Sequence, residues 1–257
     1  MGTATSALAN GGWTGSVSGL NESLNGTSWT EVADLNTARQ QASAGGESNT
    51  SAVIYAGYTA TARTGITETW NGTSFTEDGD MSTARAYGQG GAGTATSALA
   101  FGGEDPSART AATEEWAAAG VAVNAWSTGT NTNTPAVANR GHGTQGTQTA
   151  ALATGGGNPV IANVESYDGT SWTEIADLNV AKHLHISIGT NTATLVAGGN
   201  TGSAIATNES WDGSSWTEVG DMNTARSTGT GTGTATAGLA VGGTPSPTKA
   251  NCEIWDG

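Results

Sequence analysis

Four acid–base pairs recur at one interval in this chain: Asp34/Arg39, Asp80/Arg85, Asp177/Lys182 and Asp221/Arg226, each five residues apart. Such a set could ring a channel with carboxylates, or it could be one structural ion pair or connector cap made several times. A second set of acids, Glu31, Glu77, Glu174 and Glu218, keeps step with the first. Residues duplicated in every unit build the unit, so both sets are expected to be structural. His183 and His185, in KHLHIS, are not periodic. Two apart on an extended inner strand, they would face the same side, and two imidazoles can begin a metal site. No third ligand stands at a recognisable spacing, and HExxH and CxxC patterns are missing, so neither a metal nor any other cofactor is expected. His142, in RGHGT, stands alone. Cys252 is the single cysteine and no GxSxG occurs, so nucleophilic catalysis has no support. The glycines from Gly229 to Gly233 are followed by no helix and make no dinucleotide fingerprint. No catalytic residue is expected.

These residues sit inside a repeat. A short apolar motif ending in Gly-Gly reads SALANGG (6–12), SAVIYAG (51–57), SALAFGG (97–103), AALATGG (150–156), ATLVAGG (193–199) and AGLAVGG (237–243). The successive starts lie 45, 46, 53, 43 and 44 residues apart. A second motif follows each: ESLNGTSWTEV (22–32), ETWNGTSFTED (68–78), VESYDGTSWTEI (164–175) and NESWDGSSWTEV (208–219), with a divergent copy at 114–127 and CEIWDG at 252–257. A third motif closes the unit: DLNTAR, DMSTAR, DLNVAK and DMNTAR, reduced to ANR at 138–140.

Composition narrows the class. The chain has 257 residues, of which 40 are Gly and 9 Trp; 22 acids against 8 bases give a net charge of −14. Nucleic-acid binding needs a basic stripe to displace counterions from phosphates, and this chain has none. No stretch approaches the 18 apolar residues of a spanning helix, so no membrane association is expected. The first residues lack the charged and apolar regions of a signal peptide. Regularly spaced tryptophans argue against a disordered chain. One cysteine excludes an internal disulfide framework.

Each repeat reads as four short strands. Strand a follows the Arg or Lys, strand b ends at Gly-Gly, strand c ends at the first aromatic, and strand d is SWTEV. Asn-Gly or Asp-Gly between two aromatic, Thr-rich runs predicts a hairpin with a type I′ turn, in which both turn residues take positive φ. No segment keeps a 3.6-residue apolar period. Four antiparallel strands in about 45 residues fit a propeller blade, and blades must stack because one cannot bury both of its faces. The expected fold is an all-β propeller of six blades, approximately 1–34, 35–80, 81–130, 131–177, 178–221 and 222–257, forming a single domain over 1–257. The first blade is expected to lack strand a and the last to lack strand d.

The motifs resemble the kelch repeat. Gly11–Gly12, Gly102–Gly103, Gly155–Gly156, Gly198–Gly199 and Gly242–Gly243 match its glycine doublet, with Ala56–Gly57 in the second copy. Tyr167/Trp172, Trp211/Trp216 and Trp70/Phe75 match its aromatic pair, and Arg39, Arg85, Arg140, Lys182 and Arg226 its basic position. The wording GTQTAALATGG and DGTSWTEIADLN also looks like Thr/Gly/Ala-rich repeats of tailed-phage structural proteins, many of them marine. That resemblance implies a virion or extracellular setting. The run 166–172 resembles the Asp-box of sialidase propellers but lacks its residue between Asp and Gly. It reads instead as the kelch hairpin.

Recognition is expected where the repeats disagree. The b–c loops differ in every copy, at 13–20, 58–66, 104–112, 157–163, 200–207 and 244–251. They share a face with the d–a connectors, including the long insertion over 129–139. Variable loops on a constant frame are the usual place for binding. Trp13, Tyr58, Asn131 and Asn133 are the candidate ligand residues. The repeated c–d aromatics are expected to be packing. Thr-x-Thr pairs come once per unit, too sparsely for an ice-binding array. The expected function is a non-enzymatic binding or structural module, a phage virion or host-recognition component that takes a glycan or protein partner. A glycan-active or oxidase propeller and a ligand-free assembly subunit are the alternatives.

Overall fold

The computed structural model describes residues 1–87, 90–117, 125–134, 146–157, 159–244 and 252–257. The described residues form six small antiparallel sheets arranged as the blades of a β-propeller, with no helix. Blade 1 holds β1 (Gly2–Thr3), β2 (Ser6–Trp13), β3 (Val17–Leu24) and β4 (Trp29–Val32). Blade 2 holds β5 (Ser43–Ser48), β6 (Ser51–Tyr55), β7 (Thr67–Trp70) and β8 (Phe75–Glu77). Blade 3 holds β9 (Gly90–Gly93), β10 (Ser97–Phe101), β11 (Thr113–Ala117) and β12 (Ala125–Gly129). Blade 4 holds β13 (Gly146–Thr147), β14 (Ala150–Gly156), β15 (Ile161–Tyr167) and β16 (Trp172–Glu174). Blade 5 holds β17 (Ile186–Thr190), β18 (Ala193–Asn200), β19 (Ala204–Trp211) and β20 (Trp216–Val219). Blade 6 holds β21 (Thr230–Thr234), β22 (Ala237–Val241) and β23 (Cys252–Trp255).

Strand order in every blade is sequential, so each is an up-and-down meander with a innermost. The strand assignments a to d follow the motifs as read. Blade 1 differs from expectation: Gly2 and Thr3 pair with Ala7 and Ser6 and supply its strand a. The same Gly-Thr begins the a–b turns of other blades, at Gly146–Thr147 and Gly189–Thr190. Blade 6 has three strands among the described residues. Blade 1 packs on blade 6 through Ala7, Leu24 and Leu239, and the Thr232 hydroxyl donates to the Gly2 carbonyl.

Between blades, the core is a set of apolar layers made by b and c strands. The b-strand residues Ala52, Val53, Ile54, Leu99 and Leu152 are fully buried. The c–d aromatics pair across the hairpin with ring centroids 4.7 Å apart for Trp70/Phe75, 4.9 Å for Tyr167/Trp172 and 5.3 Å for Trp211/Trp216. They serve packing, as read.

The c–d turn is not type I′. Trp172 pairs directly with Tyr167, which leaves a four-residue loop over 168–171. Only its glycine takes positive φ, +91° at Gly169. Asp168 holds the loop by accepting from the amides of Thr170 and Ser171 at 2.9 and 2.8 Å. A side chain that bonds amides two and three residues on replaces the second positive φ. Asp212 does the same, and its amide and hydroxyl donors, those of Ser215 and Ser214 foremost, hold its carboxyl down at about 2.

The repeated cations find a different partner from the one their spacing suggested. Arg39, Arg85, Lys182 and Arg226 are buried, and each pairs with a glutamate of strand c, not with the nearby connector aspartate. Arg39 meets Glu68 at 2.5 Å and Lys182 meets Glu209 at 2.9 Å; Arg85 pairs with Glu114 and Arg226 with Glu253. Each glutamate also accepts a connector amide: Asn36 on Glu68 at 2.7 Å, Ser82 on Glu114 at 2.7 Å, Asn179 on Glu209 at 2.6 Å and Asn223 on Glu253 at 2.7 Å. Of the connector aspartates, Asp80 accepts the Thr67 amide at 3.2 Å, as a cap would. Burial pulls the Arg39 and Arg85 guanidinium pKa values down, and the facing glutamates pull them back up.

The same basic residue also bonds the preceding blade. The second glycine of each doublet donates its amide to that residue's carbonyl: Gly12 to Arg39 at 3.0 Å, Gly57 to Arg85 at 2.9 Å, Gly156 to Lys182 at 3.0 Å and Gly199 to Arg226 at 2.9 Å. The first position of the doublet is small, Gly in the other copies and Ala56, at φ +59°, in the second. A Cβ on Gly155, whose φ is +53°, would stand 2.5 Å from the Lys182 carbonyl oxygen. Side chain on one blade and carbonyl on the other, the basic residue latches neighbouring blades together.

Removing one member of a buried pair leaves an uncompensated charge, which costs roughly 3–5 kcal/mol. Glu114→Ala is therefore expected to lower the unfolding free energy by about that amount in urea titration. Asp177→Ala, at an exposed connector position, is expected to stay within about 0.5 kcal/mol of the parent.

Candidate functional site

The latch fixes which side of the ring the variable loops occupy. The residue after each basic position bridges to the first residues of a b–c loop: Gln40 to Tyr58, Ala86 to Glu104, His183 to Asn200 and Ser227 to Thr244. Connectors and b–c loops thus share one face. The other face carries the a–b turns, where Thr94 and Thr190 cap their own hairpins by accepting the amides of Ser97 and Ala193 at 3.2 Å. The Thr-x-Thr pairs are spent on these caps.

On the loop face, Trp13 is the most exposed aromatic, with 62% of its surface open. It ends β2 and pairs with Val17 across a tight b–c hairpin in blade 1. Leu20, 46% exposed, lies on the next strand of that hairpin. Tyr58 is half-buried on the neighbouring blade. Its ring lies 5.7 Å from Tyr87, centroid to centroid, at 52°. The Arg63 guanidinium sits 5.0 Å from the Tyr87 ring centre and meets the Glu104 carboxylate at 2.8 Å. Arg109 approaches the other oxygen of Glu104 at 3.8 Å. Two aromatic rings, two guanidiniums and one carboxylate thus converge at the junction of blades 2 and 3. Tyr87 has φ of +59°, as do its counterparts two residues after the other latch cations, Gln41 at +55°, Leu184 at +54° and Thr228 at +59°, so this backbone turn belongs to the repeat and places the Tyr87 ring beside Tyr58.

Sequence reading found Tyr58 and missed Tyr87, Arg63, Glu104 and Arg109. The available signal was charge. The chain has eight cations. Four are buried in latches, and Arg140 and Lys249 lie outside the described residues, which leaves Arg63 and Arg109. Both occur in b–c loops, in TART and SART.

The other candidates separate. Asn131 is exposed in the connector ahead of blade 4. Asn133 belongs to a latch: its amide donates to Glu165 at 2.7 Å and its side chain to the Trp172 carbonyl at 2.6 Å. Asn36 and Asn179 make the same side-chain bond, to Phe75 and Trp216. Residues 135–139 of the insertion and His142 fall outside the described residues.

His183 and His185 precede β17 rather than lying on it. Leu184 between them takes φ of +54°, so strand alternation does not align the two rings. His185 is buried, with its Nε2 2.9 Å from the Thr154 hydroxyl. His183 bridges to Asn200 at the rim. Among the described residues no three His, Cys, Asp or Glu side chains gather to hold a metal ion.

The architecture defines the class: a six-bladed β-propeller. No family model and no curated protein matches this sequence. Among solved structures, one titled "Structure of YjhT" superposes with a TM-score of 0.75 over 95% of this chain and 93% of that one, at 12% identity. The likeness shows a shared fold.

Half-exposed ion pairs and ring contacts contribute little to stability. Arg63→Ala and Tyr58→Ala are each expected to change the unfolding free energy in urea by less than about 1 kcal/mol. The cluster is then free to be altered without loss of the fold.

Proposed function

We propose that this protein is a non-enzymatic recognition module that binds a glycan or protein through its loop face, as a virion or host-recognition component of a phage. The observation that carries the reading is the junction of blades 2 and 3. Tyr58 and Tyr87 offer ring faces that can stack on the C–H face of a sugar. Arg63, Arg109 and Glu104 offer donors and acceptors for hydroxyl or carboxylate groups beside them. A few fixed polar groups around aromatic surface is how binding sites set orientation and specificity. Trp13, on the adjacent blade, is a further exposed aromatic on the loop face. The virion setting rests on the resemblance of the repeat wording, and the acidic charge suits an exposed particle surface.

The test is a glycan array probed with the labelled protein, followed by titration of each hit. A saturable hit is expected, and Tyr58→Ala or Arg63→Ala should weaken it at least about tenfold with unfolding unchanged. Turnover of any arrayed glycan would contradict the non-enzymatic reading. Hits unaffected by both substitutions would move the site off this cluster.

A further inference from the structure

Left-handed backbone recurs at several positions of the repeat, and at all but one of them the residue is glycine. The first position of the doublet has φ between +53° and +70° in Gly11, Gly102, Gly155, Gly198 and Gly242. The c–d and a–b turns likewise use glycine at positive φ, as at Gly213 and Gly233. Glycine takes this region without steric cost, so it is the default filling of a repeated turn. The position two residues after the latch cation is the exception. Gln41, Tyr87, Leu184 and Thr228 take φ between +54° and +59°, and none of them is glycine. Apart from Ala56, they are the only residues other than glycine with positive φ among the described residues.

These four residues stand two or three positions ahead of β5, β9, β17 and β21, the innermost strands of blades 2, 3, 5 and 6. Each directly follows the residue that bridges to a b–c loop. They therefore surround the propeller axis at the loop face. The Thr228 amide donates to the Leu184 carbonyl at 2.8 Å, so neighbours in this ring touch. Gln41 and Thr228 are exposed; Tyr87 and Leu184 are half-buried. The turn is common to the four junctions, so the frame requires it. The side chains differ at every junction, so the frame does not choose them. A residue with a Cβ is strained in this conformation, most of all the β-branched Thr228. In a chain with 40 Gly, side chains retained against that strain are retained for what they touch.

We propose that Gln41, Tyr87, Leu184 and Thr228 are the contact residues for an uncharged oligosaccharide that lies across the axial end of the loop face. An amide and a hydroxyl supply hydrogen bonds, while a phenol ring and an isobutyl group supply apolar surface. That combination suits a sugar, which has polar edges and a C–H face. The Thr228 hydroxyl lies 3.2 Å from that of Thr244, which lies 3.0 Å from that of Ser227, so the polar edge continues as a row of three hydroxyls. No member of the ring is charged, and the guanidiniums of Arg63 and Arg109 beside Tyr87 face Glu104. A neutral sugar fits these groups better than an acidic one. The four residues belong to four blades, so a ligand of several units is needed to reach them. Tyr87 joins the ring to the Tyr58 cluster. The inference rests on the glycan reading proposed above and adds to it the residues and the ligand class.

The test is calorimetric titration of the intact chain with uncharged tetrasaccharides of glucose, mannose, galactose and N-acetylglucosamine, and with tetragalacturonate as the charged counterpart. Binding of an uncharged probe is expected by about 1 mM. The triple variant Gln41→Gly, Leu184→Gly, Thr228→Gly should bind it at least about tenfold more weakly. Its midpoint in urea should be unchanged or higher, because relief of the left-handed turn offsets the added freedom of the unfolded chain. A lower midpoint would assign these side chains to the frame and overturn the inference, as would unaltered binding by the triple variant. Binding of tetragalacturonate alone, lost in Arg63→Ala and kept in the triple variant, would overturn it while leaving recognition by the loop face standing. Failure of every uncharged probe would also overturn it; a blank glycan array besides would remove the reading beneath it.

Discussion

The ring depends on one buried contact made at successive blade junctions. A basic residue leaves the end of one blade, turns its carbonyl back to the glycine doublet of that blade, and sends its side chain into the next blade to meet a strand-c glutamate. Burying a charge is costly unless it is paired and hydrogen-bonded. Here the glutamate accepts connector amides as well as the cation, so the desolvated carboxylate is satisfied on both oxygens at Glu68. The first position of the doublet is Gly or, at Ala56, Ala, and the cation is Arg or, at Lys182, Lys. Blade spacing and connector path are settled together.

That economy shapes the rest of the surface. Among the described residues four of six cations are sealed in latches while most acids stay outside, so the two remaining arginines stand out. Those two, Arg63 and Arg109, share one carboxylate beside a pair of tyrosines on the variable face. The opposite face is made of turns that cap themselves with Thr, Asn and Asp side chains. The frame thus spends its repeated polar residues on itself and leaves its non-repeated ones on one side.

Blade number, strand roles and the packing of the aromatic pairs were legible in the sequence because they recur with the repeat. The latch partner was not. Asp34 lies five residues from Arg39, yet the chain turns between them, and the true partner Glu68 is far along the chain on strand c. The signal was present: Glu stands two residues before the aromatic in Glu68–Trp70, Glu114–Trp116, Glu165–Tyr167, Glu209–Trp211 and Glu253–Trp255. Strand a of blade 1 escaped because two residues carry no pattern of their own, although Gly2–Thr3 repeats the turn motif of later blades. The hairpin was misread because Asn-Gly suggests a backbone solution where a side chain supplies one. Tyr87, Arg63, Glu104 and Arg109 come from separate segments, and only folding brings them together.

Hydrogen exchange of the connector amides measures the latch most directly. The amides of Asn36, Asn133 and Asn179 lie in irregular segments near the surface, yet each donates to a glutamate that binds the blade. If the latch holds the ring, these amides exchange only through global unfolding, as slowly as those of Leu99 and Leu152 in the central strands. If they exchange at the rate of the loop amides over 59–62, the connectors open independently and the blades are held by apolar packing alone.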